Sequence, residues 1–384
     1  MRILFFFHVP SFRGGASKSG FTLVKELIKY GHEIYAIIPS EGELSRALQD
    51  IGVETECIRF VWAFPPKCLK ASDYIRYIPL LIHNQRINNR ALVKAYEFVK
   101  NKQIDIIHSN TSVINVGFRL AKKMNIPHIT HYREFGYRDC GAIMLHENIM
   151  KKYKKQYGIA IGNEVSDFHK LDHHNNRIIY NGIIPSGYTR FNYKRSNYIL
   201  YVGALYKEKG IEDLITAYSN LDTDKRQACE LWIAGSAVKT DYLSYVKKLI
   251  KKNGISEYVR LLGERKDIPD LMYNAKALVV PSYNEAFGRI VVEGMNNGCL
   301  VIGRDTAGVK EQFDNGVHFT GKEIGLRFSN NSELCKLLEK VIISDIKDYY
   351  DLISRASETV NQYYTYESYG SSINSFYEEI ISKN

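Results

Sequence analysis

The chain has 384 residues, 45% of them hydrophobic and 24% charged, with a formal net charge of +10 and six cysteines. This suits a globular protein of two ordinary domains. It leaves no apolar run near the ~18 residues of a membrane-spanning helix, and the widely spaced cysteines form no C-x-x-C or zinc pattern, so they read as thiols in a reducing compartment. The basic balance permits an acidic partner such as a nucleotide sugar or an anionic lipid surface.

The opening MRILFFFHVPSF has too short an apolar core for a signal peptide and no small-residue cleavage site, so residues 2–9 read as a first buried strand. The loop PSFRGGAS follows. Phe21, Val24, Leu27 and Ile28 then recur at helical spacing up to Gly31, and HEIYAIIP is the next strand. This is the β-loop-α-β opening of a doubly wound sheet. Gly14-Gly15-Ala16 is not a G-x-G-x-x-G dinucleotide fingerprint, and Lys18-Ser19 lacks the glycine spacing of a P-loop.

Residues 57–90 are less regular. Trp62, Phe64, Tyr74 and Tyr77 interleave with Lys67, Lys70, Arg76, Arg86 and Arg90, a pattern that suits a membrane interface or sugar-lipid acceptor and equally an ordinary surface. A helix is expected at about 87–101, then the strand IDIIHS, a helix at about 112–124, and the strand IPHIT ending at His131. A histidine at a strand's carboxyl end can bind a ligand or shuttle a proton, although a lone histidine is more often a packed residue. Arg133 and Glu134 form the adjacent wall, and His108 also follows a strand. MKKYKKQYG at 150–158 reads as a basic, solvated helix face. IAIGN and RIIYNG complete the first sheet.

A polar linker at 184–196 separates a second alternating set. YILYVGAL leads through GALYKEKG into a helix carrying Ile211, Leu214, Ile215 and Tyr218; CELWIAGS and YVRLLGERKD are further strands. Pro281–Glu311 is the most informative stretch. A buried strand, AKALVV, enters the polar loop SYNEAFG, and a helix begins near Gly288 and stops near Gly298. Phe287, Gly288 and Arg289 bring backbone N–H groups to a helix N-terminus, which attracts phosphate. Glu285 sits at a strand's carboxyl end. Glu293, among Val291, Val292, Gly294 and Met295, is expected to need a partner or a ligand, and its acceptor-only carboxylate suits a pair of ribose hydroxyls.

Glu285, Phe287, Gly288 and Glu293 resemble the two-glutamate signature of the retaining glycosyltransferases of family 4. The resemblance covers nearly the whole chain. It implies an α/β, GT-B architecture: two doubly wound, Rossmann-like domains facing across a cleft. The expected division is an acceptor domain at 1–185, a nucleotide-sugar domain at 186–365, and a helix at 366–384 crossing back to the first domain. By the same resemblance Gly14 and Gly15 face the donor diphosphate, His131 contacts the donor sugar or acceptor, and Lys209 of the Lys-Gly element neutralises the diphosphate. The strand-to-loop junction Gly263–Arg265 holds the base, Glu285 holds sugar hydroxyls and Glu293 the ribose. Two departures stand out. Ala204 replaces the arginine that usually follows the first glycine, with Lys207 as a substitute, and Ala307-Gly308 replaces a paired glycine.

The implied reaction is transfer of a hexose-type sugar from a nucleoside diphosphate sugar (UDP) to a glycan or lipid-linked acceptor in bacterial surface polysaccharide synthesis, with retention. No metal or other cofactor is expected, and no nucleic acid. The expected location is cytoplasmic and peripheral at the membrane's inner face through residues 62–90. A sugar-nucleotide epimerase and a catalytically silent glycan-binding subunit are the alternatives on the same scaffold.

Overall fold

A computed structural model describes residues 1–383 except 13, 64–70, 136–148, 193 and 238–239. Phe64, Lys67 and Lys70 of the expected aromatic-basic region therefore lie outside the described residues, as do the side chains of Tyr74, Arg76 and Tyr77. Two compact units emerge. The first is Met1–Gly182 with Tyr366–Asn384, and the second is Ile183–Thr365.

The first unit contains β1 (Arg2–Phe6), α1 (Gly15–Lys29), β2 (Glu33–Ile38), α2 (Glu43–Asp50), β3 (Glu54–Cys57), α3 (Ala71–Val99), β4 (Ile106–Ser109), α4 (Val116–Met124), β5 (His128–Tyr132), β6 (Gln156–Ala160), α5 (Asn163–Phe168) and β7 (Asn176–Ile178). Its described strands form one parallel sheet in the order β3-β2-β1-β4-β5-β6-β7. Ile3 to Phe7 are fully buried, as expected of a central parallel strand covered on both faces.

Two local expectations are corrected here. The helix expected from 87 starts at Ala71 and passes through Pro79. Its buried positions run Asn84, Asn88, Ala91, Ala95 and Val99, so the helical stripe begins with asparagines and an apolar-periodicity reading detects it late. Those amides are satisfied by backbone: Asn88 exchanges bonds with the N–H and carbonyl of Val61 at 3.0 and 3.1 Å, and Asn84 donates to the Trp62 carbonyl at 3.2 Å. The basic stretch at 150–158 is also not a helix face. The helix ends at Lys151, a turn follows, and Gln156 opens β6.

The second unit contains β8 (Tyr198–Val202), α6 (Ile211–Ser219), α7 (Thr223–Ala228), β9 (Glu230–Ala234), α8 (Thr240–Lys252), β10 (Val259–Gly263), α9 (Ile268–Asn274), β11 (Ala277–Val280), α10 (Arg289–Asn296), β12 (Val301–Arg304), α11 (Ala307–Thr320), β13 (Leu326–Phe328), α12 (Asn331–Ile343) and α13 (Tyr350–Tyr363). Its parallel sheet runs β10-β9-β8-β11-β12-β13. The last helix, α14 (Tyr366–Ser382), belongs to the first unit, where it packs on α1. Its Tyr369, Ile373, Phe376, Tyr377 and Ile380 join the core beside Leu23, Val24 and Leu27 of α1.

Each strand order reverses direction once. The chain leaves β1 to one side and returns on the other with β4; it leaves β8 and returns with β11. Loops diverge at these two points and open a crevice beyond the strands' carboxyl ends, the usual ligand position in open α/β sheets.

Candidate functional site

At the switch point of the second sheet, the loop after β8 meets the loop after β11. A short 3-10 turn at Lys207–Lys209 ends on Gly210, whose φ is +69°. A Cβ there would stand 2.0 Å from the Pro281 carbonyl oxygen. Only glycine tolerates both that backbone conformation and that contact. The approach lets the Tyr283 N–H donate to the Glu208 carbonyl at 3.0 Å. It also brings the Lys209 ammonium onto the Glu285 carboxylate as a largely buried ion pair. Burial alone would lower the Lys209 pKa, but the charge of Glu285 and its hydrogen bond outweigh burial and raise it. The ammonium is therefore a permanent cation, displaceable from Glu285 only by another anion.

The Pro281–Gly288 loop is fastened along its length. Arg304, nearly buried at the end of β12, donates to the Pro281 carbonyl at 2.9 Å, pairs with Asp213 of α6, and lies 4.4 Å from the Tyr283 ring centroid. Tyr283 in turn donates to Asp213 at 2.6 Å. The Gly308 N–H donates to the Glu285 carbonyl at 2.8 Å, and a Cβ on Gly308 would sit 2.8 Å from Phe287. The Gln312 amide donates to the Phe287 carbonyl. Sequence reasoning missed Arg304, Asp213 and Gln312. The available signal was a charged residue closing an apolar strand, VIGR, where an unpaired guanidinium would be costly.

Gly288, in the left-handed region, precedes α10, whose first turn has no acidic residue and no side-chain cap. The Phe287 side chain is buried against Tyr364, with ring centroids 5.8 Å apart, so Phe287 can offer a ligand only its backbone. The apolar setting expected for Glu293 is a property of the sequence and not of the fold. Val291, Val292 and Met295 turn inward, whereas the Glu293 side chain is one-third exposed and pairs with Arg289 at 3.5 Å. Gly263 ends β10 and Arg265 lies just beyond it, two strands from β8 and so roughly 10 Å from the switch point. The Arg265 guanidinium is held on the surface by Asp267 at 2.6 and 2.8 Å. Lys207 is exposed, and the Ala204 carbonyl accepts from the Tyr201 hydroxyl at 3.1 Å.

In the first unit Gly14 caps α1 and Gly15 is its first residue, both exposed; a Cβ on Gly14 would meet no atom within 4 Å. His131 does not stand open at the strand end as expected. It is fully buried, and its Nδ1 lies 3.2 Å from both the Arg133 guanidinium and Nε2 of His108. Arginine can only donate, so Nδ1 of His131 accepts and the proton resides on Nε2. His108 then donates from Nε2 and accepts the Tyr377 hydroxyl on Nδ1. The result is a directed chain from α14 to β5 that leaves the His131 Nε2–H buried without a partner. Arg133 turns inward too, bonding neutral oxygens of Asn110, Asn181 and Tyr369. Glu134 accepts from the N–H and hydroxyl of Ser112 at 3.2 and 2.8 Å.

Sequence reasoning also passed over His8, just beyond β1. Burial first, and then the nearby Arg133 charge, lower its pKa to about 4. The same two causes hold His108 and His131 well below 6.5.

Two consequences are measurable. Ala307 adopts φ +45°, a left-handed conformation costing a residue with a Cβ about 1–2 kcal/mol. Glycine's greater unfolded-state entropy offsets part of the relief, so Ala307→Gly is expected to raise stability by about 0.5–1 kcal/mol in thermal melts; a lowered melting temperature would contradict this. Second, His8, His108 and His131 all have folded pKa values below the ordinary 6.5 of a histidine. Above about 6.5 both states are neutral there. Below it the unfolded chain binds protons that the folded chain refuses, so stability falls as pH drops. Urea midpoints should decline from pH ~7.5 to ~5, with a shallower slope in His108→Gln; an unchanged slope would remove these imidazoles from the acid response.

Comparison with known proteins agrees with the geometry. Residues 13–186 match the family model described as Glycosyltransferase Family 4, and residues 190–359 match that of Glycosyl transferases group 1. A glycosyltransferase of Methanocaldococcus jannaschii is 30% identical over 274 residues, covering 64% of this chain and 73% of the relative. The lipopolysaccharide glucosyltransferase WaaG of Escherichia coli is 28% identical over 109 residues, 28% of either chain. The crystal structure of HepE from Anabaena in complex with UDP superposes with a TM-score of 0.77 at 19% identity, over 99% of this chain and 100% of that one. With paired parallel-sheet units and these matches across both halves, the chain belongs to the family 4, group 1 glycosyltransferases and is an enzyme of GT-B fold.

Proposed function

We propose that this glycosyltransferase moves a hexose from a UDP-sugar, with retention at the anomeric carbon, to a glycan or lipid-linked acceptor during assembly of a bacterial surface polysaccharide. The observation that carries the reading is the Lys209–Glu285 pair at the switch point of the second sheet, beside the N-terminus of α10. A diphosphate entering there takes over the Lys209 ammonium and meets the helix's partial positive charge. That frees the Glu285 carboxylate to accept from sugar hydroxyls. Glu293 accepts from the ribose hydroxyls, with Arg289 beside it. UDP in the HepE complex, UDP-glucose in another structure of that protein, and the lipopolysaccharide and O-antigen chemistry of relatives support the donor and acceptor classes.

In the proposed step the bond from the anomeric carbon to the diphosphate breaks, and the acceptor oxygen bonds to that carbon on the same face. The acceptor's proton passes to the departing phosphate oxygen. Lys209 and the α10 amides stabilise the charge on the leaving group, so the reading invokes no metal.

Proton NMR of the protein with a panel of nucleotide sugars tests this directly. Release of nucleoside diphosphate from one donor, cut about 10²–10³-fold by Lys209→Met or Glu285→Gln, is the expected result. Conversion of the donor into another nucleotide sugar would replace the transferase reading with an epimerase. Turnover of no donor would favour the silent glycan-binding subunit.

We infer a peripheral membrane location from α3. Ile82 and Val93 are exposed about three helical turns apart on one stripe, with Arg86 and Arg90 between them and Trp62 exposed nearby in sequence. Among the described residues no helix is long and apolar enough to cross a membrane. Pelleting with phosphatidylglycerol vesicles is expected, weakened several-fold by Ile82→Ser with Val93→Ser. Equal pelleting of that variant, or none by the parent, would remove the membrane from the reading.

A further inference from the structure

The two sheets share a topology, so their switch points can be compared residue by residue. In the second sheet the loops after β8 and β11 supply Lys209 and Glu285. The corresponding loops of the first sheet, after β1 and β4, supply His8 and the pair Asn110-Thr111.

Unpartnered buried atoms gather at that place. Among the described residues of the first unit they are Nδ1 of His8, Oγ of Ser17 in the first turn of α1, Oγ1 of Thr111, Nε2 of His131 at the end of β5, and one nitrogen of Arg119. All but the last follow the carboxyl ends of β1, β4 or β5, or lie in the helix turn beside them. The Asn110 amide donates to the Ala16 carbonyl at 3.0 Å, which ties the β4 loop to the first turn of α1. Ser17, Thr111 and His131 are at most 1% exposed. Buried polar groups are nearly always satisfied, and a cluster that is not marks a place for water or ligand oxygens.

His8 is the half-buried member of the group. Its sealed, unpartnered atom is Nδ1 alone, and no described group bonds Nε2, which keeps access to solvent. We propose that His8 contacts the sugar acceptor at the first sheet's switch point, donating from Nε2–H to the oxygen of an acceptor hydroxyl. This rests on the transferase reading. Burial first, and then the Arg133 charge, keep the His8 ring neutral. With its proton on Nε2, the nitrogen open to solvent, the ring orients the acceptor oxygen but does not accept that hydroxyl's proton. The proton goes to the leaving phosphate, as in the step above. The ligand class is a neutral, hydroxyl-bearing sugar.

The test separates acceptor from donor. With the donor that the nucleotide-sugar panel identifies, hydrolysis to water and transfer into a chloroform–methanol lipid extract of the source cells are measured for the parent, His8→Ala and His8→Gln. The amide nitrogen of glutamine reaches about as far as Nε2 and also donates. His8→Ala is expected to raise the half-saturating amount of extract ~10-fold or more, while donor hydrolysis stays within about twofold; His8→Gln recovers most of the loss. A parallel fall of hydrolysis and transfer, or no change in either, overturns the assignment. A parent chain that turns over no donor overturns the transferase reading itself, and this assignment with it.

Discussion

The approach of Gly210 to the Pro281 carbonyl is the constraint on which the second unit's site depends. It brings the loops after two strands into backbone contact where the sheet reverses direction. Everything around it reinforces that contact: the Tyr283–Glu208 backbone bond, the Lys209–Glu285 pair, Arg304 on Pro281, and Gly308 beneath Glu285 and Phe287. A loop held from three sides needs little reorganisation when charge develops, which is what electrostatic stabilisation of a leaving group requires. The Lys209–Glu285 pair also means that the free enzyme stores its cation against its own carboxylate. In the proposed function a donor exchanges partners with that pair.

The first unit uses a different device. Arg133 is buried with hydrogen bonds to the neutral oxygens of Asn110, Asn181 and Tyr369 and to Nδ1 of His131, and its charge adds to burial in keeping the imidazoles around it neutral. A guanidinium that only donates fixes the His131 tautomer, and His108 carries the same polarity back to Tyr377 of the last helix. Tyr369 and Tyr377 reach this network only because α14, separated in sequence by the whole second unit, packs on α1. The buried histidine–arginine network of this unit is thus coupled to the chain's final helix through hydrogen bonds of defined direction.

Comparison of particular elements shows where sequence reasoning holds and where it fails. Alternating buried strands and amphipathic helices were legible because parallel strands covered on both faces are continuous apolar runs, as in RILFF and ALVV. α3 was read short because asparagines occupy the start of its buried stripe, and polar residues satisfied by backbone are invisible to a hydrophobicity pattern. The apolar setting of Glu293 was misjudged for the converse reason, although the partner expected of it is present in Arg289. The chain neighbours of Glu293 are apolar, but successive helical residues point ~100° apart, so neighbours in sequence are not neighbours in space.

The sequence by itself determined the class of fold and the family, and it singled out Lys209, Gly210, Glu285 and Gly288. Those features rest on local spacing, on backbone conformations few residues tolerate, and on charge at strand ends. Only the tertiary structure decided which charges meet. It joined Lys209 to Glu285, turned Arg133 inward, sealed His131 and left His8 at the surface of the first switch point. The physical reason is that burial, partner and tautomer depend on groups brought together from distant parts of the chain, and no local pattern encodes the order in which strands are laid into a sheet.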